Sequence, residues 1–489
     1  MISALTFLPL FAIVAMFAVP GIRPRVLAMG GALGSLIITV YAAIKSLGSG
    51  DSDLFFLEKL QWIPDLGIHY HVGVDGKSLL VLLMAAILAP IVVAASWNHD
   101  DRPRTYFALL SLQFTGLFGA FTALNFFHWF IYWELALVPA FFLIKLFGKG
   151  EDRHRAALNF FLFTVIGSVA MLIGFLFLYK QTGTFSFLEL AGKAEQAGAV
   201  APWIFCAVLL GLWVKVPLAP LHIWQAPAYA AAPTPVAMLL TGVMSKMGVY
   251  AFLRFVPIFP ESFKNHGTEL MVFALITILW GAFLALRQTD IKRLLAFSSL
   301  NHVAFCVLGI GALGVAVEGG HQDFNAYGLL TQGVILQMFA HGITAGGLFY
   351  LAGLIEDRSG KRGVGDFGGL CKTTPKLAAA FYLLTFCSLG LPFMAGFAAE
   401  FLIFSGSFAV APFITAMATL GLLATAVFLL TLLQKVFTGP EQDSLKDFPD
   451  LTRREVLIAA PLVVLIFWAG IVPDNWLLFS EDLVIELFK

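Results

Sequence analysis

Residues 161–179 read FLFTVIGSVAMLIGFLFLY, without one charged side chain. As a helix rising 1.5 Å per residue, such a stretch is about 28 Å long, close to the thickness of a bilayer's hydrocarbon core. In lipid a segment must satisfy its own backbone N–H and C=O groups, which a helix does. Similar stretches recur along the whole 489-residue chain, and this recurrence limits the fold more than any other feature. Fourteen are marked, at 3–20, 26–48, 78–97, 105–124, 126–147, 157–180, 202–231, 233–256, 267–287, 291–314, 325–355, 376–406, 411–438 and 454–472. The chain is 59% hydrophobic and 12% charged, where soluble domains carry about 25% charged residues. The expected fold is an all-α polytopic membrane protein of about 14 transmembrane helices, with the lipid bilayer as its surroundings.

Net charge is zero, so nothing points to nucleic acid. The four cysteines form no CxxC pair and three lie in apolar runs, so they read as small buried hydrophobes, with no metal site. The opening MISALTFLPLFAIVAMF has no basic segment before it and reads as a first span rather than a cleaved signal. Most of the 30 lysines and arginines fall in loops after odd-numbered spans. Positive charge favours the cytoplasmic side, which predicts both termini on the outer side; the expected location is a bacterial inner (plasma) membrane. The outer loop 49–77 alternates in LGIHYHVGV and predicts a short hairpin. The tail after 472, DNWLLFSEDLVIELF, predicts an amphipathic surface segment.

Two of the apolar runs are interrupted. The seventh breaks at KVPLAP, around Pro217 and Pro220, and the twelfth at LPFMAG, around Pro392. Interruptions in corresponding positions mark transporters built from inverted repeats. They divide the chain into 1–104 (spans 1–3 with the 49–77 loop), two inverted five-helix units at 105–256 and 257–438, and 439–489 (last span and tail).

A charge at mid-bilayer costs about 2.5–3.5 kcal/mol, so each one inside a span asks for a reason. Glu134 lies in FIYWELALVPAFF, Lys215 and His222 in VKVPLAPLHIW, and Lys246 in LLTGVMSKMGVYAF. His302 lies in SSLNHVAF, His341 in QMFAHGITAGG and Glu400 in GFAAEFLIF. Lys215 sits well inside its run, too deep to snorkel easily, and the prolines beside it free carbonyls that protein or water must satisfy. Glu134 is the expected ion-pair partner that holds its charge. His302 reads either as a relay or as a core histidine bonded to Ser298 or Ser299, and His222 as structural or as a further relay. With no nucleophile–base set and no phosphate loop, the set suits proton transfer along a hydrated path rather than bond breaking.

Several stretches together carry a resemblance: GVDGKSLLVLL (73–83), WELALVPAFFLI (133–144), VKVPLAPLHIW, APTPVAMLLTGVMSKMGVY (232–250), QTDIKRLLAFSSLNHVAF (288–305) and QMFAHGITAGGLFYLAGLIEDR (337–358). In order and over most of the chain, they resemble the antiporter-like subunits of respiratory complex I, a NADH:quinone oxidoreductase. The M-type branch fits best, because the chain stops soon after its last run and carries Glu400 where the other branches typically have lysine. The resemblance implies Glu134 and Lys215 as the ion pair of a first half-channel and Lys246 as the bridge. It implies His302 and His341 as a central relay and Glu400 as the last donor to the outside. It also implies that this chain holds no cofactor: NADH, FMN, iron–sulfur clusters and quinone belong to other subunits. Neighbouring antiporter-like subunits are the implied partners.

The sequence departs from the family after the seventh break. It reads QAPAY (225–229), with Ala228 and Tyr229 where an acid and a histidine are usual. Two other readings stand beside the first. One is a homologous subunit of a cation/proton antiporter, a membrane-bound hydrogenase or an inorganic-carbon uptake complex. The other is a membrane scaffold that has lost pumping.

Overall fold

The computed structural model describes residues 1–19, 21–47, 54–318 and 324–480. Ten helices among them are long and apolar enough to cross a membrane, and three shorter apolar helices stand with them. The chain begins with α1 (Ile2–Ala18) and α2 (Pro24–Ser46). A hairpin of β1 (Phe55–Ile63) and β2 (Ile68–Val74) follows, antiparallel, with Lys59 opposite His71. The alternation read in the 49–77 loop is thus borne out over 55–74, while 48–53 lie outside the described residues. Next come α3 (Leu79–Ala95), α4 (Pro103–Thr122), α5 (Phe126–Phe147) and α6 (Arg153–Thr182).

The seventh run is two pieces, α7 (Ala201–Lys215) and α8 (Gln225–Ala231). After it come α9 (Thr234–Phe255), α10 (Gly267–Leu286), α11 (Ile291–Glu318) and α12 (Phe324–Ser359). The twelfth run is also split, into α13 (Pro375–Ser388) and α14 (Ala395–Val410). Pro392 lies in the break, where Gly390 and Phe393 adopt left-handed φ of 67° and 70°. The chain continues with α15 (Pro412–Leu433) and α16 (Arg453–Ile471). The described part of the tail ends in a short turn of helix whose Trp476 is buried beside Phe339 and Trp468. Residues 481–489 of the expected amphipathic segment lie outside the described residues.

Burial sorts the helices. The apolar stretch of α9 is wholly buried, and those of α11 and α12 are 94% buried, against 28–44% in the other seven long helices. These three central helices carry Lys246, His302 and His341. The outer helices turn an apolar stripe outward: on α6, Leu158, Leu162, Ile166, Val169, Ile173 and Leu176 are exposed, while Phe160, Met171 and Phe175 on the opposite side are buried. Such a stripe is a liability in water and is solvated by acyl chains in a bilayer. The cysteine expectation holds only in part: Cys306 and Cys387 are buried, Cys371 is half-buried, and Cys206 is exposed on the outward face of α7.

Glycine brings two central helices into contact. A Cβ on Gly342 of α12 would stand 2.8 Å from the Gly242 carbonyl of α9, so only a bare backbone allows this crossing. The loops after odd-numbered runs meet at one end of the bundle, through Arg25 with Asp100, Lys149 with Asp357, Arg358 with Glu455 and Lys292 with Glu356.

Candidate functional site

Lys246 lies one turn beyond a defect in its helix. Residues Leu240–Met244 form a π-turn, which widens the helix and shifts its hydrogen bonds. The carbonyls of this turn bind side chains. Thr241 O accepts from Lys246 Nζ at 2.6 Å and from Ser245 Oγ at 2.9 Å, and Leu240 O accepts from the Tyr229 hydroxyl at 3.1 Å. Lys246 is buried, with no carboxylate within 4.0 Å among the described residues; its bonds are to the Thr241 carbonyl and, at 3.3 Å, to Ser245 Oγ.

From the same turn a polar chain crosses the centre of the protein. Thr241 Oγ1 donates to Ser299 Oγ at 3.0 Å, and Ser299 Oγ lies 3.0 Å from His341 Nε2. The rings of His341 and His302 stand 4.9 Å apart, and His302 Nδ1 lies 3.0 Å from Glu400 Oε1. Every one of these side chains is buried. Buried polar groups are costly unless bonded, so two bonded segments that meet at a pair of imidazole rings, across four helices, are a built feature. Four of the expected residues, Lys246, His341, His302 and Glu400, are thus brought together. Hydroxyl and imidazole groups both give and accept protons, so the chain can pass one. One alternative is corrected: His302 bonds Glu400 rather than Ser298 or Ser299, and Ser299 turns to His341.

The region around Lys215 differs from expectation. The carbonyls loosened by Pro217 and Pro220 are met by indoles: Trp224 Nε1 donates to Val214 O and Trp213 Nε1 to Ala219 O, both at 3.1 Å. The Ala219 N–H finds Thr277 Oγ1 at 3.1 Å, and the Leu218 N–H reaches back to Trp213 O at 3.0 Å. Lys215 ends α7 and is buried, but its Nζ has no hydrogen-bond partner and stands 4.7 Å over the ring of Trp133. A desolvated cation over tryptophan gains about 2 kcal/mol, which makes this ring a real alternative to a carboxylate. Glu134 is not within 4.0 Å of Lys215, and its Oε1 is buried without a partner. The expected ion pair is therefore open in this structure. Trp133 itself is fixed by Ser168, whose Oγ accepts from Nε1 at 2.9 Å. His222 is buried in the break, with Nδ1 unpartnered and no hydrogen bond to the central chain.

Reading the sequence missed Trp133 and Thr241, and gave Ser299 only as a possible partner of His302. Each sits beside or near a singled-out charge, yet an aromatic or a hydroxyl in a span is usually packing. It also missed Asp75–Arg254, a buried bidentate pair at 2.5 and 3.0 Å, with Tyr250 Oη accepting a further bond from Arg254. Burial pushes the Asp75 carboxyl up, but the Arg254 and Lys77 charges and the Arg254 and Ser78 hydrogen bonds outweigh it, so its pKa is lowered.

Residues 123–427 match the model of a family described as NADH:quinone oxidoreductase/Mrp antiporter, transmembrane. Over 96% of its length the chain is 34% identical to F(420)H(2) dehydrogenase subunit M of Methanosarcina mazei, covering 94% of that protein. Over 97% it is 33% identical to NADH-quinone oxidoreductase subunit M of Rhodobacter capsulatus, covering 93%. In structure it is similar to a chain of respiratory complex I from Thermus thermophilus with bound NADH. The TM-score is 0.86 and the identity 29%, covering 99% of this chain and 97% of that one.

Proposed function

The chain belongs to the NADH:quinone oxidoreductase/Mrp antiporter transmembrane family, and from that premise we propose that it is an M-type (chain 4) proton-translocating membrane subunit of a NADH:quinone oxidoreductase. It is a multi-pass membrane protein. In this reading it has fourteen spans in the expected arrangement. Residues 105–256 and 257–438 form the two inverted five-helix units, and the termini lie on the outer side of a bacterial inner membrane. Redox chemistry with NADH, FMN, iron–sulfur clusters and quinone belongs to other subunits, and neighbouring antiporter-like subunits are its partners.

The observation that carries the reading is the buried polar run from the Lys246 turn: Thr241, Ser299 and His341 are hydrogen-bonded in series, His302 is bonded to Glu400, and the two imidazole rings meet at 4.9 Å. A proton held as the Lys246 ammonium passes along it to Glu400 and leaves by the break near Pro392. Lys215 loads Lys246, and its charge is governed by two alternative seats. Against Glu134 the ammonium is held by a carboxylate. Over Trp133, as in this structure, it is held more weakly and its proton is freer to leave. Moving one charge against 100 mV takes about 2.3 kcal/mol, which redox chemistry in the other subunits supplies by driving the exchange between the two seats.

A second reading keeps the mechanism and changes the electron donor to reduced F420, favoured by the likeness to the Methanosarcina mazei subunit. The test is to purify the complex through a tag on this chain and identify its companions. Proton uptake per electron is then measured with Lys215→Ala. Quinone- and iron–sulfur-binding companions and a loss of pumping support the reading. Cation-antiporter companions, or unchanged pumping in Lys215→Ala, overturn it.

A further inference from the structure

Beside Lys215 lies a small space, lined also by Phe160, Trp224, Tyr229, Leu240, Met244 and Ser245, and too tight to take a water-sized sphere. Ser245 is the link to the second lysine: its Oγ stands 3.3 Å from Lys246 Nζ. A proton leaving Lys215 for Lys246 must therefore cross on side chains. The lining includes two phenol or alcohol hydroxyls, those of Tyr229 and Ser245, while the Trp224 N–H is committed to Val214 O. Tyr229 is fully buried, and its hydroxyl donates to Leu240 O, a carbonyl of the same π-turn whose next carbonyl holds Lys246.

We propose that Tyr229 is the proton relay between Lys215 and Lys246. The proposal rests on the pumping role assigned above. The step balances without a net charge on the phenol. The Lys215 ammonium gives a proton to Tyr229 Oη as the Tyr229 O–H proton passes, by way of Ser245 Oγ, to the neutral Lys246 amine. Lys215 ends neutral and Lys246 charged. The Leu240 carbonyl orients the hydroxyl between transfers, and rotation of the O–H resets it. This also gives QAPAY a function: the phenol is what lets the chain depart from the usual acid and histidine.

The test uses the assembled complex in inverted membrane vesicles, with a dye reporting the pH gradient formed on addition of NADH. Tyr229→Phe keeps the ring and removes only the hydroxyl. The rate of proton translocation is expected to fall about a hundredfold, the low end of what a positioned proton-transfer group contributes. NADH oxidation by a soluble artificial acceptor, which reports assembly, stays at the parent level. Tyr229→His, which restores a protonatable group, recovers translocation in part, an effect that simple packing does not predict. Lys215→Ala is run alongside. Loss in Lys215→Ala with none in Tyr229→Phe overturns the relay and leaves the pumping role standing. No loss in either overturns the pumping role itself. Loss in Tyr229→Phe with no recovery in Tyr229→His, and with the artificial-acceptor rate also lost, marks Tyr229 as structural and overturns the relay.

Discussion

Glu400→Gln separates charge from shape at the far end of the central chain. His302 Nδ1 lies 3.0 Å from Glu400 Oε1, and both side chains are buried. The second oxygen packs beside Gly390, where a Cβ would come within 2.8 Å, so the side chain has little freedom to turn away. Glutamine keeps an acceptor in the same place and loses the charge. A hydrogen bond to a charged group contributes about 1.5–3 kcal/mol and a neutral one about 0.5–1.5, so the expected loss of stability is about 1–1.5 kcal/mol. The amide cannot take and release a proton at neutral pH, so translocation through this subunit should stop. Thermal unfolding of the purified complex reads the first quantity, and the pH gradient formed by vesicles reads the second. Translocation within about twofold of the parent would falsify the assignment of Glu400. A stability loss above about 4 kcal/mol would instead show that the carboxylate holds the fold, since that is the range for breaking a buried ion pair.

Three further outcomes follow from the packing and the outer ion pair. Asp75→Ala leaves the buried Arg254 guanidinium uncompensated and should cost about 3–5 kcal/mol, whereas Asp75→Ala with Arg254→Leu should cost clearly less; a double-mutant cycle in thermal unfolding checks the difference. Because the folded Asp75 pKa is lowered, its contribution is fully present above the ordinary aspartate value and is lost as pH falls through the lower folded value. Melting temperature should therefore show no pH dependence from this pair between about pH 5 and 8, where the carboxylate is ionised in both states and its contribution is constant, and the parent's advantage over the double variant should shrink only below about pH 4. Gly342→Ala places a methyl 2.8 Å from the Gly242 carbonyl and 1.9 Å from Met84 Sδ. It should cost about 1–3 kcal/mol by overpacking and slow translocation by moving His341 from the π-turn, measured as melting temperature and vesicle pH gradient.

The apolar runs were legible because lipid demands the same thing of every outer helix: length without charge. The two breaks were legible because proline removes a backbone donor wherever it stands, and 217, 220 and 392 all fall between helical pieces. The buried charges stood out by their cost. What each charge touches was not legible. Whether Lys215 meets Glu134 or Trp133 depends on the position of α7 against α5, and neighbouring residues on α5 offer both seats. Whether Ser299 serves His302 on its own helix or His341 on another depends on how α11 lies against α12. The π-turn at Leu240–Met244 has no proline to announce it, and without it Lys246 has no carbonyl to bind. Asp75 and Arg254 are 179 residues apart, so each read as an ordinary loop charge.

The account stands most directly on Lys246, where the loading side and the central chain meet. Lys246→Met keeps the length of the buried side chain and removes its charge. The measurement is the number of protons moved per electron by vesicles carrying this variant, with NADH as donor and quinone as acceptor. The account predicts that proton movement through this subunit is lost while NADH oxidation by an artificial acceptor is retained. An unchanged number of protons per electron would contradict it, because in this reading a proton from Lys215 reaches the chain that ends at Glu400 only by way of Lys246.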